Sequence, residues 1–348
     1  MIASPWILIA ASAISLLSSL TATRWLCSDQ AARRGPMDHP NARSLHVRPV
    51  PRTGGLALLL GLVIPLLALG LWEPIAPELL WLGGALLMVA GVSFLDDLGE
   101  VPAAGRLVVH LLAAVLVLLA GMGWSHLDLP GTRIFWSIWI TVPATLLYLV
   151  WMINLYNFMD GMDGLAAGMA VFGFSAFGIL GLIGGEPQFA LVAFCVAGAA
   201  AGFGILNFPP ASIFLGDVGS SSLGLLAAGL SLWGVQLALF PIWTAWLAFS
   251  PFIVDATWTL LARAWRRERI WEPHRSHHYQ RLVLSGWTHR RTLLRAYVLM
   301  AASAACAVAS PRLAEREQWM LIVAWAVIYL LIHLRVRSSV PGSALDRP

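Results

Sequence analysis

Long apolar runs alternate with short polar connections from end to end of this chain. A hydrocarbon core about 30 Å thick takes roughly 20 helical residues. Eleven runs qualify as spans: Ile2–Thr21, Gly54–Trp72, Leu79–Leu95, Leu107–Met122, Phe135–Ile153, Leu165–Ile183, Phe189–Leu206, Ser221–Val235, Ala238–Leu261, Leu293–Val308 and Gln318–Leu334. Gly234 and Gln236 punctuate the boundary between the eighth and ninth, where the sequence is apolar almost throughout. The pattern predicts an all-α, polytopic integral membrane protein with about eleven transmembrane helices. Composition agrees, because a chain that is 59% hydrophobic and 11% charged cannot hide its apolar surface inside a soluble globule. No period of 20 to 50 residues recurs and no low-complexity linker divides the chain, so residues 1–348 read as a single membrane domain.

Charge sets the expected orientation, since short cytoplasmic loops carry the Arg/Lys excess. Every basic residue here is Arg. Arg24, Arg33, Arg34, Arg43, Arg48, Arg52 and Arg106 fall on one side of the predicted spans, together with the arginines between Arg263 and Arg295 and those of the tail. Only Arg133, Arg312 and Arg316 fall on the other, which predicts an external N-terminus and a cytoplasmic C-terminus. Met1–Leu20 has no positive n-region before its apolar stretch and reads as the first span rather than a cleaved signal. Cys195 and Cys306 lie within spans and Cys27 at a membrane edge, without spacing for a disulfide framework or a zinc site.

Four polar islands interrupt this pattern: Asp96-Asp97, Asn154 to Asp163, Asn207 to Ser220, and His274-Arg275-Ser276-His277-His278. Carboxylates at bilayer depth cost several kcal/mol unless they face a cavity, a metal or a substrate. All four islands land on the predicted cytoplasmic side, in or beside loops at about 96–106, 154–164, 207–220 and 263–292, with a further basic loop at 24–53. The external connections are short and chemically plain. A single catalytic face is the economical reading.

Carboxylate and amide oxygens are hard ligands that suit Mg²⁺ or Mn²⁺ better than zinc. Asp217, between the glycines of Gly216-Asp217-Val218-Gly219-Ser220, is the best single metal candidate, with a helix N-cap as the structural alternative. Asp96 and Asp97 force two like charges together, so they need a cation or a proton. Asn154, Asn157, Asp160 and Asp163 recur every three residues, and Gly161 and Gly164 predict a helix break that fans them into a pocket. The HxxHH loop is a weak metal signal; with Arg275 and Arg281 alongside, an anionic or sugar substrate fits it better. Arg48 and Arg52 belong to a second basic loop, Asp255 reads as a carboxylate paired with a neighbour, and His110 as a satisfied packing histidine. Together these parts point to metal-assisted phosphoryl chemistry at a membrane surface.

In combination, Asp38-His-Pro-Asn-Ala-Arg-Ser-Leu-His46 with Pro51-Arg-Thr-Gly-Gly55, Asp96-Asp97, Asn157-Phe-Met-Asp160-Gly-Met-Asp163-Gly, Asn207 with Phe214-Leu-Gly-Asp217-Val-Gly-Ser220, and the His loop resemble the polyprenyl-phosphate N-acetylhexosamine-1-phosphate transferases. The resemblance runs from about Asp38 to His278. It implies a multi-pass enzyme of the bacterial inner membrane with a cytoplasmic active site, a UDP-N-acetylhexosamine donor, undecaprenyl phosphate as acceptor and Mg²⁺ (or Mn²⁺) as cofactor. No nucleic-acid partner is expected, and a homodimer is compatible with it. Asp217 with Asn157 would hold the metal on the donor diphosphate, and Asp96-Asp97 would lie where the lipid phosphate attacks. Arg106 would face phosphate, Asp160 and Asp163 would belong to the nucleotide network, and Arg275, His277 and His278, with His274, would meet the donor sugar or its phosphates. Asn207, Arg48 and Arg52 complete the expected substrate contacts. The loop lacks the Pro-x-His-His-His pattern of the peptidoglycan enzyme, which argues against a muramoyl-pentapeptide donor. It looks more like the subgroup that starts O-antigen chains, including those using 6-deoxy sugars. The competing class, an anionic-metabolite transporter, predicts midplane sites and an internal repeat, and a CDP-alcohol phosphotransferase would show an Asp-Gly-x-x-Ala-Arg pattern; neither is found.

Overall fold

The computed structural model describes residues 4–28, 36–38, 49–71, 73–99, 101–269 and 275–339. Its helices are α1 (Pro5–Leu26), α2 (Gly54–Gly70), α3 (Pro77–Leu98), α4 (Ala103–Leu119), α5 (Ile138–Met159), α6 (Leu165–Gly184), α7 (Pro187–Asn207), α8 (Gly216–Gln236), α9 (Ile242–Ala248), α10 (Ser250–Trp265), α11 (His278–Leu284), α12 (His289–Ala309) and α13 (Glu315–Ser339). Among the described residues eight of these are long and apolar enough to cross a membrane, and a bent pair makes a ninth. The protein is therefore a multi-pass membrane protein. Two further apolar helices, α2 and α4, are 17 residues each, the lower end of what a bilayer requires.

The bundle is organised around α8, which is buried along nearly its whole length and packs against α2, α3, α5 and α7. Beside it, Phe177 of α6 stacks on Phe240 with ring centroids 5.3 Å apart and meets Phe249 edge-on at the same distance. With Phe189 of α7, 6.0 Å from both Phe177 and Phe240, these rings give α6, α7 and the α8–α9 connection a shared aromatic core. α13, by contrast, contributes only Trp325 and Val336 to the buried apolar set.

The structure departs from the sequence expectation in three places. The run Ala238–Leu261 is not one helix: α9 and α10 meet at 88°, with Pro251 in the first turn of α10. Proline supplies no N–H and disfavours helical backbone before it, so the chain turns although its hydropathy does not change. Phe135 does not begin a span. It ends a hairpin, β3 (His126–Leu129) with β4 (Thr132–Phe135), turned at Pro130-Gly131 and bridged by the Asp128–Arg133 ion pair. A second ribbon pairs β1 (Met37–Asp38) with β2 (Val50–Pro51), and the other elements among the described residues are helices. Finally, α8 begins at Gly216, so Asp217 lies in its first turn and not in the preceding loop.

The connections gather at two ends. On one side Gln188 accepts from the Ala76 N–H at 3.0 Å and donates to the Pro74 carbonyl at 2.7 Å, tying two loops together, and the Trp319 indole donates to Pro130. The polar islands gather at the other.

Candidate active site

Three chain segments converge on the start of α8, where Asp217 stands, and on Arg106 of α4 to build the acidic centre. The first is the strand-to-helix turn after β2. Phe214 N donates to Pro51 O at 2.8 Å, Gly54 N to Phe214 O at 2.9 Å and Gly55 N to Leu215 O at 2.7 Å, so residues 51–55 lie along 214–215 like a short ladder. Gly55 permits this approach, because a Cβ there would stand 2.2 Å from the Gly219 nitrogen. The result is that Arg52 reaches across to the start of α8. The second segment is the end of α3, which delivers Asp96 and Asp97, and the third is the α5–α6 turn with Asp160.

Asp217 sits between two guanidiniums, one on each carboxylate oxygen: Arg52 Nη2 is 3.5 Å from Oδ1, and Arg106 Nη1 is 3.5 Å from Oδ2. Each arginine also binds a second aspartate. Arg52 lies 3.2 Å from Asp97 Oδ1, and Arg106 contacts Asp96 Oδ2 directly. Asp97, whose carboxylate is only 2% exposed, accepts from the backbone N–H groups of Asp217 and Val218 at 3.3 Å each. It thus occupies the positive end of α8, where four N–H groups lack intrahelical partners. Asp96 Oδ1 accepts from Val101 N at 2.9 Å, which fixes the turn into α4 and brings Arg106 into range. Asp160 lies half-buried against this cluster; desolvation and the nearby Asp217 carboxylate push its acid well above the usual carboxylate range.

Four carboxylates therefore face two guanidiniums, and both arginines are about one-third exposed (35% and 36%), so the cluster opens on its cationic side. Asn157 Nδ2 donates to Ser220 Oγ at 3.1 Å, and among the described residues no donor reaches its Oδ1. No three acidic or histidine side chains close into a metal cage among the described residues. What the site offers is a set of oxygen donors, an excess of negative charge and an opening. That fits Mg²⁺, which dehydrates reluctantly and is commonly held by one or two carboxylates together with substrate phosphates.

The members of the Asn/Asp series point to different partners. Asn154 folds back onto Val150 O, Asn157 turns to α8, Asp160 enters the cluster, and Asp163 Oδ2 accepts from Ala211 N at 3.0 Å. Gly164, with φ of +75°, starts α6. Asn207 is committed at both ends of its amide: Oδ1 accepts from Gly164 N and Nδ2 donates to Ile213 O, each at 2.8 Å. It clamps the acidic turn to the loop before α8.

The His loop is placed beside this centre, not in it. His278 donates its backbone N–H to the Asp255 carboxylate (3.0 and 3.1 Å), and its Nδ1 lies 2.7 Å from Oδ1; His277 Nδ1 lies 3.5 Å from the same oxygen. Asp255, expected to pair with a neighbour, is thus the anchor of the loop, reinforced by Thr259 at 3.2 Å. Beyond it, His278 Nε2 meets His333 Nδ1 at 3.0 Å. Contact with the acidic centre runs through Tyr279: a Cβ on Gly161 would stand 2.2 Å from its hydroxyl oxygen and 3.4 Å from Gln280 Nε2. His333 carried no sequence signal; Asp255 did, as a carboxylate within an apolar run. Arg275 lies at the near edge of the described loop, while Arg48 and His274 lie outside the described residues. His110 is buried without a hydrogen-bond partner for either ring nitrogen among the described residues, contrary to the expected satisfied histidine.

Comparison with known proteins adds to this geometry. Residues 79–235 match the family model "Glycosyl transferase family 4". The chain is 30% identical over 338 residues to the probable undecaprenyl-phosphate N-acetylglucosaminyl 1-phosphate transferase of Bacillus subtilis, covering 96% of this chain and 92% of that protein. It is 30% identical over 305 residues to the decaprenyl-phosphate N-acetylglucosaminephosphotransferase of Mycobacterium tuberculosis, covering 77% and 74%. Over 277 residues it is 29% identical to the phospho-N-acetylmuramoyl-pentapeptide-transferase of Shouchella clausii, covering 75% and 81%.

Proposed function

The chain belongs to glycosyl transferase family 4, among the polyprenyl-phosphate sugar-1-phosphate transferases, and we propose that it transfers an N-acetylhexosamine-1-phosphate from a UDP-sugar to undecaprenyl phosphate. This would be the first membrane step of O-antigen or related envelope glycan assembly. The observation that carries the reading is the double bridge: Arg52 and Arg106 each join Asp217 to a second aspartate at the open side of a buried acidic cluster.

An oxygen of the lipid phosphate attacks the sugar-bearing phosphorus of the donor, the bridging P–O bond breaks, and UMP leaves. Bringing these anions together is the main obstacle. At an effective dielectric near 20, each unit pair at 4 Å costs roughly 4 kcal/mol. Arg52 and Arg106 offset that charge while Asp96 and Asp97 hold them in place. A strong base is unnecessary, because a phosphate monoester with a second pKa near 6 is mostly dianionic at pH 7. Mg²⁺ (or Mn²⁺), held by Asp217 and Asn157, would supply further charge neutralisation on the donor diphosphate. Asp160, Asp163 and the loop of Arg275, His277 and His278 would line the donor side. Arg48 and His274 are assigned to substrate on sequence alone.

We further propose eleven spans, counting α2, α4 and the bent α9–α10 pair as crossings, with the N-terminus external, the C-terminus cytoplasmic and the acidic centre facing the cytoplasm of a bacterial inner membrane. The Arg asymmetry supports this reading. The decisive assay combines purified protein, undecaprenyl phosphate and a panel of UDP-sugars that includes the muramoyl-pentapeptide, scored for Mg²⁺-dependent UMP release. Release with a UDP-N-acetylhexosamine alone supports the proposal. Release with the pentapeptide donor reassigns the substrate, and no release with any donor overturns it.

A further inference from the structure

On the far side of the Asp255–His278 anchor, a half-open cavity of about 450 Å³ is lined by α10, α11 and the end of α13. Its polar walls are cationic. Arg263, Arg266, Arg281 and Arg337 line it, and the carboxylates nearby are Glu268 and Asp255. Glu268 is taken by Arg263 at 2.8 Å and more loosely by Arg266 at 3.8 Å, while Asp255 is occupied by His277, His278 and Thr259. That leaves Arg281 and Arg337 without a carboxylate of their own among the described residues. Arg281 donates its Nε–H to the Ser276 carbonyl at 2.9 Å and lies between the like charges of Arg266 and Arg337 and the already paired Asp255 and Glu268. Burial, with Arg266 beside it, pushes its guanidinium below the usual range.

The rim is different. Trp258, Leu261 and Trp265 stand on the outer face of α10 with 46%, 62% and 92% of their surfaces exposed. Indole rings and an aliphatic side chain at the cationic end of a spanning helix mark the membrane–water interface, where tryptophan concentrates. Arginines that serve only as an orientation anchor spread into water, where repulsion is screened. Here they converge instead on one half-open cavity with an apolar lip, Arg263 buried, Arg281 half-buried, and Arg266 and Arg337 at its mouth.

We propose that this cavity seats the phosphate headgroup of an anionic membrane phospholipid, with the acyl chains running along Trp258, Leu261 and Trp265. A soluble phosphate ion would satisfy the arginines and leave the lip without purpose. The lipid serves both. Its effect on the fold follows from what lines it. α13 has few buried apolar contacts, so a headgroup shared by Arg281 and Arg337 supplies a tie between α13 and the His loop. The His278–His333 hydrogen bond lies at the same seam. This inference does not depend on the proposed reaction.

The test uses the full-length protein in detergent, titrated with short-chain phosphatidylglycerol, with phosphatidylcholine of the same chain length and with inorganic phosphate, following the thermal unfolding midpoint. Phosphatidylglycerol is expected to raise the midpoint, while the other two leave it in place. A basic residue near an anionic lipid surface is worth roughly a fivefold change in affinity. Arg337→Gln, on an exposed last turn, should therefore raise the phosphatidylglycerol concentration needed by about that factor. Arg337→Lys should largely preserve the response, and Arg312→Gln, at the opposite end of the bundle, should not alter it. Arg281→Gln should act like Arg337→Gln if it folds, and Arg337 carries the test if it does not. An unchanged phosphatidylglycerol response in Arg337→Gln overturns the proposal. So does an equal response to phosphatidylcholine, which would mean that only the acyl chains bind, or to inorganic phosphate, which would make this a soluble-anion site.

Discussion

Asp97 holds the start of the helix that presents Asp217: its carboxylate accepts from the backbone N–H groups of Asp217 and Val218, each at 3.3 Å. The two aspartates are therefore not interchangeable members of an acidic patch. One faces the opening between two arginines, and the other is buried beneath it as a cap.

Asp97→Asn is expected to lose stability as well as turnover. A carboxylate at a helix N-terminus contributes about 0.3–2 kcal/mol, and an amide retains the acceptor but not the charge. Thermal unfolding in detergent should show a lowered midpoint together with reduced UMP release. An unchanged midpoint would remove the capping role and leave Asp97 as a purely chemical residue.

Asp217→Asn should behave in the opposite sense. Its side chain is one-fifth exposed (22%) and supports no backbone group, so the fold should survive while Mg²⁺-dependent turnover falls by about 10² to 10³ or more. Purified variant protein with a native unfolding profile and a flat Mg²⁺ titration is the expected result. Near-normal turnover would reduce Asp217 to a helix-start residue.

Gly55→Ala places a methyl group 2.2 Å from the Gly219 nitrogen and 2.7 Å from its Cα, both backbone atoms that cannot swing aside. Overpacking of this kind costs about 1–3 kcal/mol. The strain falls on the ladder that positions Arg52, so activity should drop more steeply than the unfolding midpoint. A fully active Gly55→Ala variant would show that the turn tolerates separation from α8.

Much of this centre was legible before any coordinates. Asp96, Asp97, Asp160 and Asp217 announce themselves because carboxylates are conspicuous in apolar surroundings. Arg52 and Arg106 were legible only as basic residues near phosphate; that each bridges Asp217 to a second aspartate is a tertiary fact. The break at Phe249 was hidden because hydropathy measures burial in lipid and is blind to direction, and the run is apolar on both sides of it. Asp255, His278 and His333 lie 23 and 55 residues apart along the chain, beyond any local periodicity. The clamp made by Asn207 is likewise a tertiary fact, since an amide beside an acidic loop reads equally as ligand or clamp until its two partners are seen.

Orientation can be measured directly. Reporter fusions after Asp163 and Gly286 are expected to read cytoplasm, and those after Pro74, Gly185 and Arg312 the outside. An external reading at Gly286 would overturn both the eleven-span topology and the single catalytic face.

The contact between Tyr279 and Gly161 makes the His loop and the acidic turn a matched pair of moulded surfaces. Neither can be exchanged alone without the other registering the change. Chimeras that import residues 272–286 from a relative with a different donor would need to carry a side chain of tyrosine's shape at position 279, or bring their own 160–164 turn with them. Among natural sequences, the size of the residue at 279 and the absence of a side chain at 161 should accordingly drift together, so that the two pieces are inherited as a cassette.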